Sequence, residues 1–420
     1  MTHKIVYYMK TKLLVITFVF CAGLTSCSSD SKDGDSARKV IDIESSINTI
    51  QIKKLSEVAK GIEYIPLETN DSALINNISK IAVENNKIYI SDNSDKLFVF
   101  DRKGKHLRTL NRKGRGPGEY LNLRYFDVDN ESDNILILGY NGHISIYDSV
   151  LNYMRSVYSS NAAGRNHSKF ERLGDTLFLI AQFNVAYNTP TKIIMFDSSS
   201  NVLDSVIFKP IEFIENNADV PLRINHPVIV KFNDDIRYFS VKGDTIFSLN
   251  SKLEKSIAYI FKQGKYREPD RLTYEDFISQ KAPFISISPY LIETESNLFL
   301  TMILRGQTKE PIVRTYNLPD GTVNESVRTD AYGIFRKSDG KFFVLAQPLK
   351  GVPGLSDDIK QGPPFWPKYS NSNQELISYR GSADIINYAV TNSESGSYIN
   401  ELASKLNENS NPVVIIAQTK

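Results

Sequence analysis

A chain of 420 residues, 41% of them hydrophobic, holds more than one compact core usually takes, so it divides into domains or repeats. Its 50 basic and 48 acidic residues nearly cancel. That balance excludes a general polyanion binder, and nucleic acid is not an expected partner, because such proteins need a net basic surface.

The N-terminus is an address. Lys10 and Lys12 precede the apolar run Leu13 to Leu24, which is shorter than the roughly 20 residues a spanning helix needs, and a small-residue site follows. Residues 1–26 therefore read as a secretory signal peptide, and without them the net charge is −1. Met9 makes a more ordinary start than Met1, since it sets the charged segment directly before the apolar core. Leu24-Thr25-Ser26-Cys27 resembles the lipobox of bacterial lipoproteins, which implies acylation of the Cys27 thiol and cleavage just before it. The other cysteine, Cys21, lies in the removed segment, so no disulfide is expected and stability must come from packing.

Residues 27–44 read as a flexible tether. Ser28 to Lys39 contains no apolar side chain larger than Ala37 and cannot bury enough surface to order itself. Asp30, Asp33 and Asp35 resemble a signal that takes some Gram-negative lipoproteins to the outer face, and a plain solvated linker is the other reading. The expected location is the outer membrane, on the cell surface or the periplasmic face, with membrane attachment through the lipid.

Residues 45–420 are strand-rich. A short apolar run opens each unit: Ile88–Ile90, Ile135–Leu138, Leu177–Ile180, Tyr238-Phe239, Leu298–Leu300 and Phe342–Leu345. Taking Ile88 and Phe342 as equivalent gives about 51 residues per repeat, close to a four-stranded propeller blade. Second runs follow and mostly end in Asp or Asn, as at Asp101, Asp148, Asp197, Asn250 and Asn317. An Asx side chain there can bond its own downstream backbone and open a tight turn. Glycine supplies positive φ at Asp101–Gly104 and at Asn317–Gly321. Runs such as Phe98-Val99-Phe100 are apolar at every position, so both faces of each sheet must be covered. A propeller does this by sandwiching each blade between two neighbours, whereas a β-sandwich would show cleaner alternation.

The expected fold is all-β: six four-stranded antiparallel blades, the ring closed by N- and C-terminal strands. Thr49–Ile52 and Ile62–Leu67 are the candidates to meet Val413–Ala417. Two short helices are expected, one after the capping box Thr273–Asp276 that carries Phe277 and Ile278, and one carrying Ile399, Leu402 and Leu406.

Gly114-Arg115-Gly116-Pro117-Gly118-Glu119-Tyr120, flanked by IYISD and LFVFDRKGK, resembles the NHL-type propeller repeat. With Tyr64–Thr69 before the first unit and Pro364-Phe365-Trp366-Pro367 in the sixth, the chain is similar to bacterial six-bladed propeller lipoproteins of that style from about Ile43 to Ala417. The glycine loop is missing from units three to five. The resemblance implies a fold and an exported, lipid-anchored location.

No catalytic set is legible. The five histidines His3, His106, His143, His167 and His226 never pair at metal-ligand spacing, so no metal or cofactor is expected. The glycine loop lacks the Lys-Ser/Thr of a P-loop and precedes a strand, which makes it an inter-blade turn. Two surface groups are candidates for ligand binding. One is the acid-free run Arg102 to Arg115, with Arg112, Lys113 and Arg115, read either as solvated structure or as an anion site. The other is the loop Lys350 to Lys368, where Trp366 with Asp357 and Asp358 would suit a sugar or peptide, or Trp366 would plug a blade corner. A monomeric, non-catalytic platform for a glycan, peptide or protein is the expected function. A propeller enzyme of lyase or lactone-hydrolase type, with a metal in the central channel, is the alternative.

Overall fold

The computed structural model describes residues 39–139, 142–158, 166–174, 177–183, 190–209, 227–273, 275–276, 279, 281–317 and 322–420. Cys27, the signal segment, Phe277, Ile278 and the turn at 318–321 lie outside them. The described chain is a six-bladed β-propeller.

The N-terminal segment holds β1 (Val40–Asp42), a single helical turn α1 (Ile43–Ser46), β2 (Ile50–Gln51) and β3 (Ala59–Pro66). Blade 1 follows with β4 (Ile78–Glu84), β5 (Lys87–Asp92), β6 (Leu97–Asp101) and β7 (His106–Leu110). Blade 2 is β8 (Tyr125–Val128), β9 (Ile135–Leu138), β10 (His143–Tyr147) and β11 (Tyr153–Tyr158). Blade 3 is β12 (Asn166–Leu173), β13 (Leu177–Phe183), β14 (Thr191–Phe196) and β15 (Val202–Phe208). Blade 4 is β16 (Pro227–Phe232), β17 (Asp235–Ser240), β18 (Thr245–Leu249) and β19 (Lys255–Lys262). Blade 5 has β20 (Ser286–Glu293) and β21 (Asn297–Ile303), a separate hairpin β22 (Ile312–Asn317) and β23 (Val323–Arg328), then β24 (Asp330–Arg336) and β25 (Lys341–Leu345). Blade 6 has β26 (Tyr369–Ser370), β27 (Leu376–Arg380), helices α2 (Ser382–Thr391) and α3 (Ser397–Ser404), and β28 (Val413–Thr419). The inner strands β4, β8, β12, β16, β20 and β26 touch in a closed cycle around the axis.

Hydrophobic burial explains the unbroken apolar runs. The core consists of six slabs, one in each gap between neighbouring blades. In β6, Phe98 and Phe100 enter the slab against blade 6, while Leu97 and Val99 enter the slab against blade 2. The same division splits Ile194 and Phe196 from Ile193 and Met195 in β14. Successive side chains of a strand point to opposite faces, so only a strand covered on both faces reads as apolar throughout.

The ring closes where expected, at one of the two candidate strands. β3 pairs antiparallel with β28, Ile62 opposite Ala417 and Pro66 opposite Val413, and so becomes the outer strand of blade 6. Thr49–Ile52 goes elsewhere: β2 pairs in parallel with β25, Ile50 opposite Val344. β1 likewise adds in parallel to β19, Val40 opposite Ile260. The N-terminal segment thus runs along the rim, laying one strand on each of blades 4, 5 and 6. Blades 4 and 5 are five-stranded with a parallel edge, a correction to the expectation of four antiparallel strands throughout. Order also begins earlier than residue 45, because Ile41 and Ile43 are apolar and fully buried against blade 4.

The repeat count survives, but the last two units were misaligned by the apolar pattern. Phe342–Leu345 belongs to β25, the fourth strand of blade 5, rather than to the second strand of blade 6, which is β27. β2 covers the outer edge of β25 and leaves Val344 fully buried, so an outer strand acquires the composition of an inner one. The run at Ile312 lies in the inserted hairpin rather than in the blade.

The Asx corners are as the residue types dictate. Asp101 accepts the backbone N–H groups of Lys103 and Lys105, Asp148 those of Val150 and Asn152, Asp197 those of Ser199 and Asn201, and Asn250 those of Lys252 and Glu254. In the first corner Gly104 has φ +86°, and a Cβ there would stand 2.2 Å from the Pro66 carbonyl oxygen, so glycine is required by both conformation and space. The capping box forms reciprocally between Thr273 and Asp276. In α3, Ile399 and Leu402 are buried in the slab between blades 5 and 6, joined by Ile385 of α2.

Candidate functional site

Turns between the first and second strands of each blade gather at one mouth of the channel, and polar side chains tie them together. Asn85 and Lys87 of blade 1 reach Asp133 of blade 2 at 2.7 Å each. Arg172 of blade 3 forks onto Asp129 of blade 2, with Nη1 3.0 Å from Oδ2. Ser372 of blade 6 donates to Glu84 of blade 1. Gln374 of blade 6 donates to Asn233 of blade 4 and Glu295 of blade 5, both at 3.1 Å, while Asn233 donates to Glu295 at 2.8 Å. A link from blade 6 to blade 4 skips a blade, which draws this part of the mouth together.

Burial pushes the Asp129 carboxyl upward, but Arg172 and the hydroxyl of Ser132 outweigh it and hold the group below its usual range. A depressed carboxyl contributes stability above the unfolded value of about 3.9 and loses it as pH falls through the folded value. Arg172→Gln is therefore expected to cost about 1.5–3 kcal/mol at pH 7. It should also flatten the loss of stability below about pH 4, and urea unfolding at pH 7 and pH 3 checks both.

Deeper in the channel the inner strands are bridged by lysines. Lys80 donates to the Phe126 carbonyl of the next blade, and Lys169 donates to that of Ile229 at 2.9 Å. Burial lowers Lys80 to about 8, although Asp127 and Glu171 pull it upward. Asp127 lies 3.6 Å from Lys80, and Glu171 pairs with Lys169 at 2.5 Å, so each of these channel carboxylates already has a cation. Among the described residues, no group of three or more His, Cys, Asp or Glu is placed to hold a metal ion.

The sequence candidates fall in two places, neither of them in the channel. Arg112, Lys113 and Arg115 are exposed on the glycine loop after blade 1. Lys113 pairs with Asp95 at 2.5 Å, and Glu119 closes the loop by accepting the Gly116 N–H at 2.7 Å. Trp366 is half-buried, stacked on Tyr332 at 4.3 Å and edge-on to Phe299 at 5.6 Å, both in blade 5. That is the corner-filling arrangement. Asp357 is buried, accepting from the Tyr64 hydroxyl at 2.6 Å and from the N–H groups of Ile359, Lys360 and Gly362. Asp358 accepts from the backbone and hydroxyl of Ser56. Both carboxylates fasten their loop to the N-terminal segment rather than standing open beside the indole.

A cluster that sequence reading missed lies between blades 4 and 5. A cavity of about 320 Å³ is lined by Lys39, Asp235, Arg237, Ser248, Tyr259 and Lys337, among others. Beneath it the Glu293 carboxylate has no exposed surface and accepts from Arg237 Nε at 2.8 Å, the Tyr259 hydroxyl at 2.7 Å and Lys337 Nζ at 2.7 Å. Arg237 Nη1 also donates to Asp235 at 3.2 Å and to Ser248, whose hydroxyl donates to Asp235 at 2.6 Å. Arg237 and Lys337 both lie over the Phe232 ring. Burial lowers Lys337 despite the carboxylate beside it, and burial with Glu293 raises Tyr259. The available signal was Arg237 itself, a charge inside the run Ile236–Phe239 where a doubly covered strand should be apolar.

A family model described as "Domain of unknown function (DUF4934)" matches residues 38–418. No curated protein matches the chain. Among solved structures, a protein of Bacteroides fragilis NCTC 9343 described as exported superposes with a TM-score of 0.65 at 18% identity, covering 91% of this chain and 99% of that one. A member of the DUF4221 family from Bacteroides vulgatus gives 0.49 at 12% identity, over 86% and 97% of the two chains. The first likeness supports the propeller fold. No helix of the described residues is long and apolar enough to cross a membrane.

Proposed function

Since the chain belongs to the DUF4934 family by a match over nearly all of its described residues, and that family carries no stated activity, we propose a function from its own surface: a non-catalytic platform, exported and lipid-anchored, that binds a ligand or assembles proteins at the outer membrane. The observation that carries this reading is the side-chain bracing between blades, which stiffens one face of the ring while the cavity between blades 4 and 5 stays open. A rigid ring with open surface sites suits recognition, because the ordering cost of binding is met in advance. The signal segment, Cys27 and the polar stretch behind it support export and anchoring.

Labelled palmitate fed to expressing cells should enter the wild-type protein and not the Cys27→Ala variant; equal labelling removes the anchor. For the basic loop, the expected readout is retention on immobilised sulfated polysaccharide. The triple variant Arg112→Glu, Lys113→Glu, Arg115→Glu should elute at lower salt than wild type, with stability lowered by about 1 kcal/mol through loss of the Lys113–Asp95 pair. Unchanged elution leaves the loop as solvated structure. The metal-dependent channel enzyme is the competing reading, and the lysine-paired carboxylates Asp127 and Glu171 speak against it. About one tightly held Ca²⁺ or Zn²⁺ per chain on metal analysis of the purified protein would replace the platform reading.

A further inference from the structure

We infer that the cavity between blades 4 and 5 is a binding site for a small hydroxylated carboxylate, of the sugar-acid class; this rests on the platform reading and names the ligand chemistry of one of its surfaces. Its volume of about 320 Å³ lies at the low end of small-molecule sites. Three cations face it, from Lys39, Arg237 and Lys337, against a single lining carboxylate, Asp235.

The buried Glu293 explains how two of those cations can sit there. A guanidinium and an ammonium held in a blade interface are costly unless paired, and the carboxylate beneath pairs both without entering the cavity. The Tyr259 hydroxyl completes the support from the same side. Donor capacity is left over. Arg237 spends Nε and Nη1 on protein partners, while its Nη2 makes no hydrogen bond among the described residues, and Lys337 spends one proton on Glu293. Lys39 is exposed at the edge, where its carbonyl anchors β1 to Ile260. These unspent donors fit an oxyanion.

Asp235 decides what else the ligand carries. A bare anion would be repelled by it, whereas a ligand hydroxyl can donate to it while an attached carboxylate meets the cations a few ångströms away. Ser256 adds a hydroxyl partner, and Ala258, packed against the core between blades 4 and 5, adds apolar surface for a sugar ring's C–H face.

The test is titration of the full-length protein with glucuronate, glucose, acetate and sulfate, followed by calorimetry or ligand-observed NMR. Two variants leave the Glu293 cluster intact: Lys39→Glu and Ser256→Glu, both at exposed positions, with unfolding curves confirming that each still folds. Glucuronate is expected to bind, glucose and acetate to bind at least about ten-fold more weakly, and each variant to lose about ten-fold in glucuronate affinity. Glucose equal to glucuronate overturns the anion requirement, and acetate or sulfate equal to glucuronate overturns the hydroxyl requirement. Absence of glucuronate binding, or wild-type affinity in both variants, overturns the site. The platform reading falls separately, on metal analysis of the purified protein, where about one tightly held Ca²⁺ or Zn²⁺ per chain replaces it whatever glucuronate does.

Discussion

Glu293→Ala should destabilise the protein by about 3–5 kcal/mol, the loss expected when one partner of a buried charge cluster is removed and the others remain. The carboxylate has no exposed surface and, among the described residues, is the acceptor that Arg237 Nε, Lys337 Nζ and the Tyr259 hydroxyl share. Removing it strands two cations and a hydroxyl in the slab between blades 4 and 5. Glu293→Gln keeps an acceptor but not the charge and should fall between wild type and alanine. Tyr259→Phe removes one neutral donor to the charge and should cost about 1.5–3 kcal/mol. Urea unfolding of the three variants reads the order directly. A Glu293→Ala loss under about 1 kcal/mol would mean that water or a rearranged Asp235 takes over the cations.

The second large effect concerns closure. Deleting residues 39–69 removes β3 and Leu67 just after it, which together supply Ile62, Tyr64, Ile65 and Leu67 to the slabs on either side of blade 6, all four buried. At roughly 1.5–3 kcal/mol for each buried side chain, the loss is comparable with the whole stability of an ordinary domain, about 5–15 kcal/mol. The truncated chain also leaves β28 as an open edge of buried composition, Val413 to Ala417, and the expected result is aggregation instead of a soluble ring whose sixth blade has three strands. A peptide spanning residues 39–69, added during refolding, should restore soluble protein with native near-UV circular dichroism. A soluble truncated chain that unfolds cooperatively would show that the ring holds without this strand.

Fold class, blade number and closure were legible because each rests on a local rule. Phe98-Val99-Phe100 needs cover on both faces, Asp101, Asp148 and Asp197 open their own turns, and Val413–Ala417 is a terminal strand in need of a partner. What local pattern cannot carry is which strand lies beside which. Phe342–Leu345 reads as an inner strand because Ile50 and Gln51, almost 300 residues earlier in the chain, cover its edge. The cavity was hidden for the same reason. Arg237, Glu293 and Lys337 come from three different strands or turns and carry no mutual spacing, so only the packing of blade 4 on blade 5 makes them one group. Trp366 and Asp357 were visible as unusual residues, yet their partners Tyr332 and Tyr64 decide that they hold the loop.

The rim path of the N-terminal segment sets a timetable. β1, β2 and β3 are made first, but their partners β19, β25 and β28 are made later, the last of them at Val413–Thr419. A chain made N-terminus first therefore emerges with three strands that have nothing to pair with until blades 4, 5 and 6 follow in turn. Contacts so distant in sequence fold slowly and leave apolar edges waiting. The first-made segment is thus the one in greatest need of a holding chaperone, and maturation should be gated by arrival of the final strand rather than by folding of any single blade.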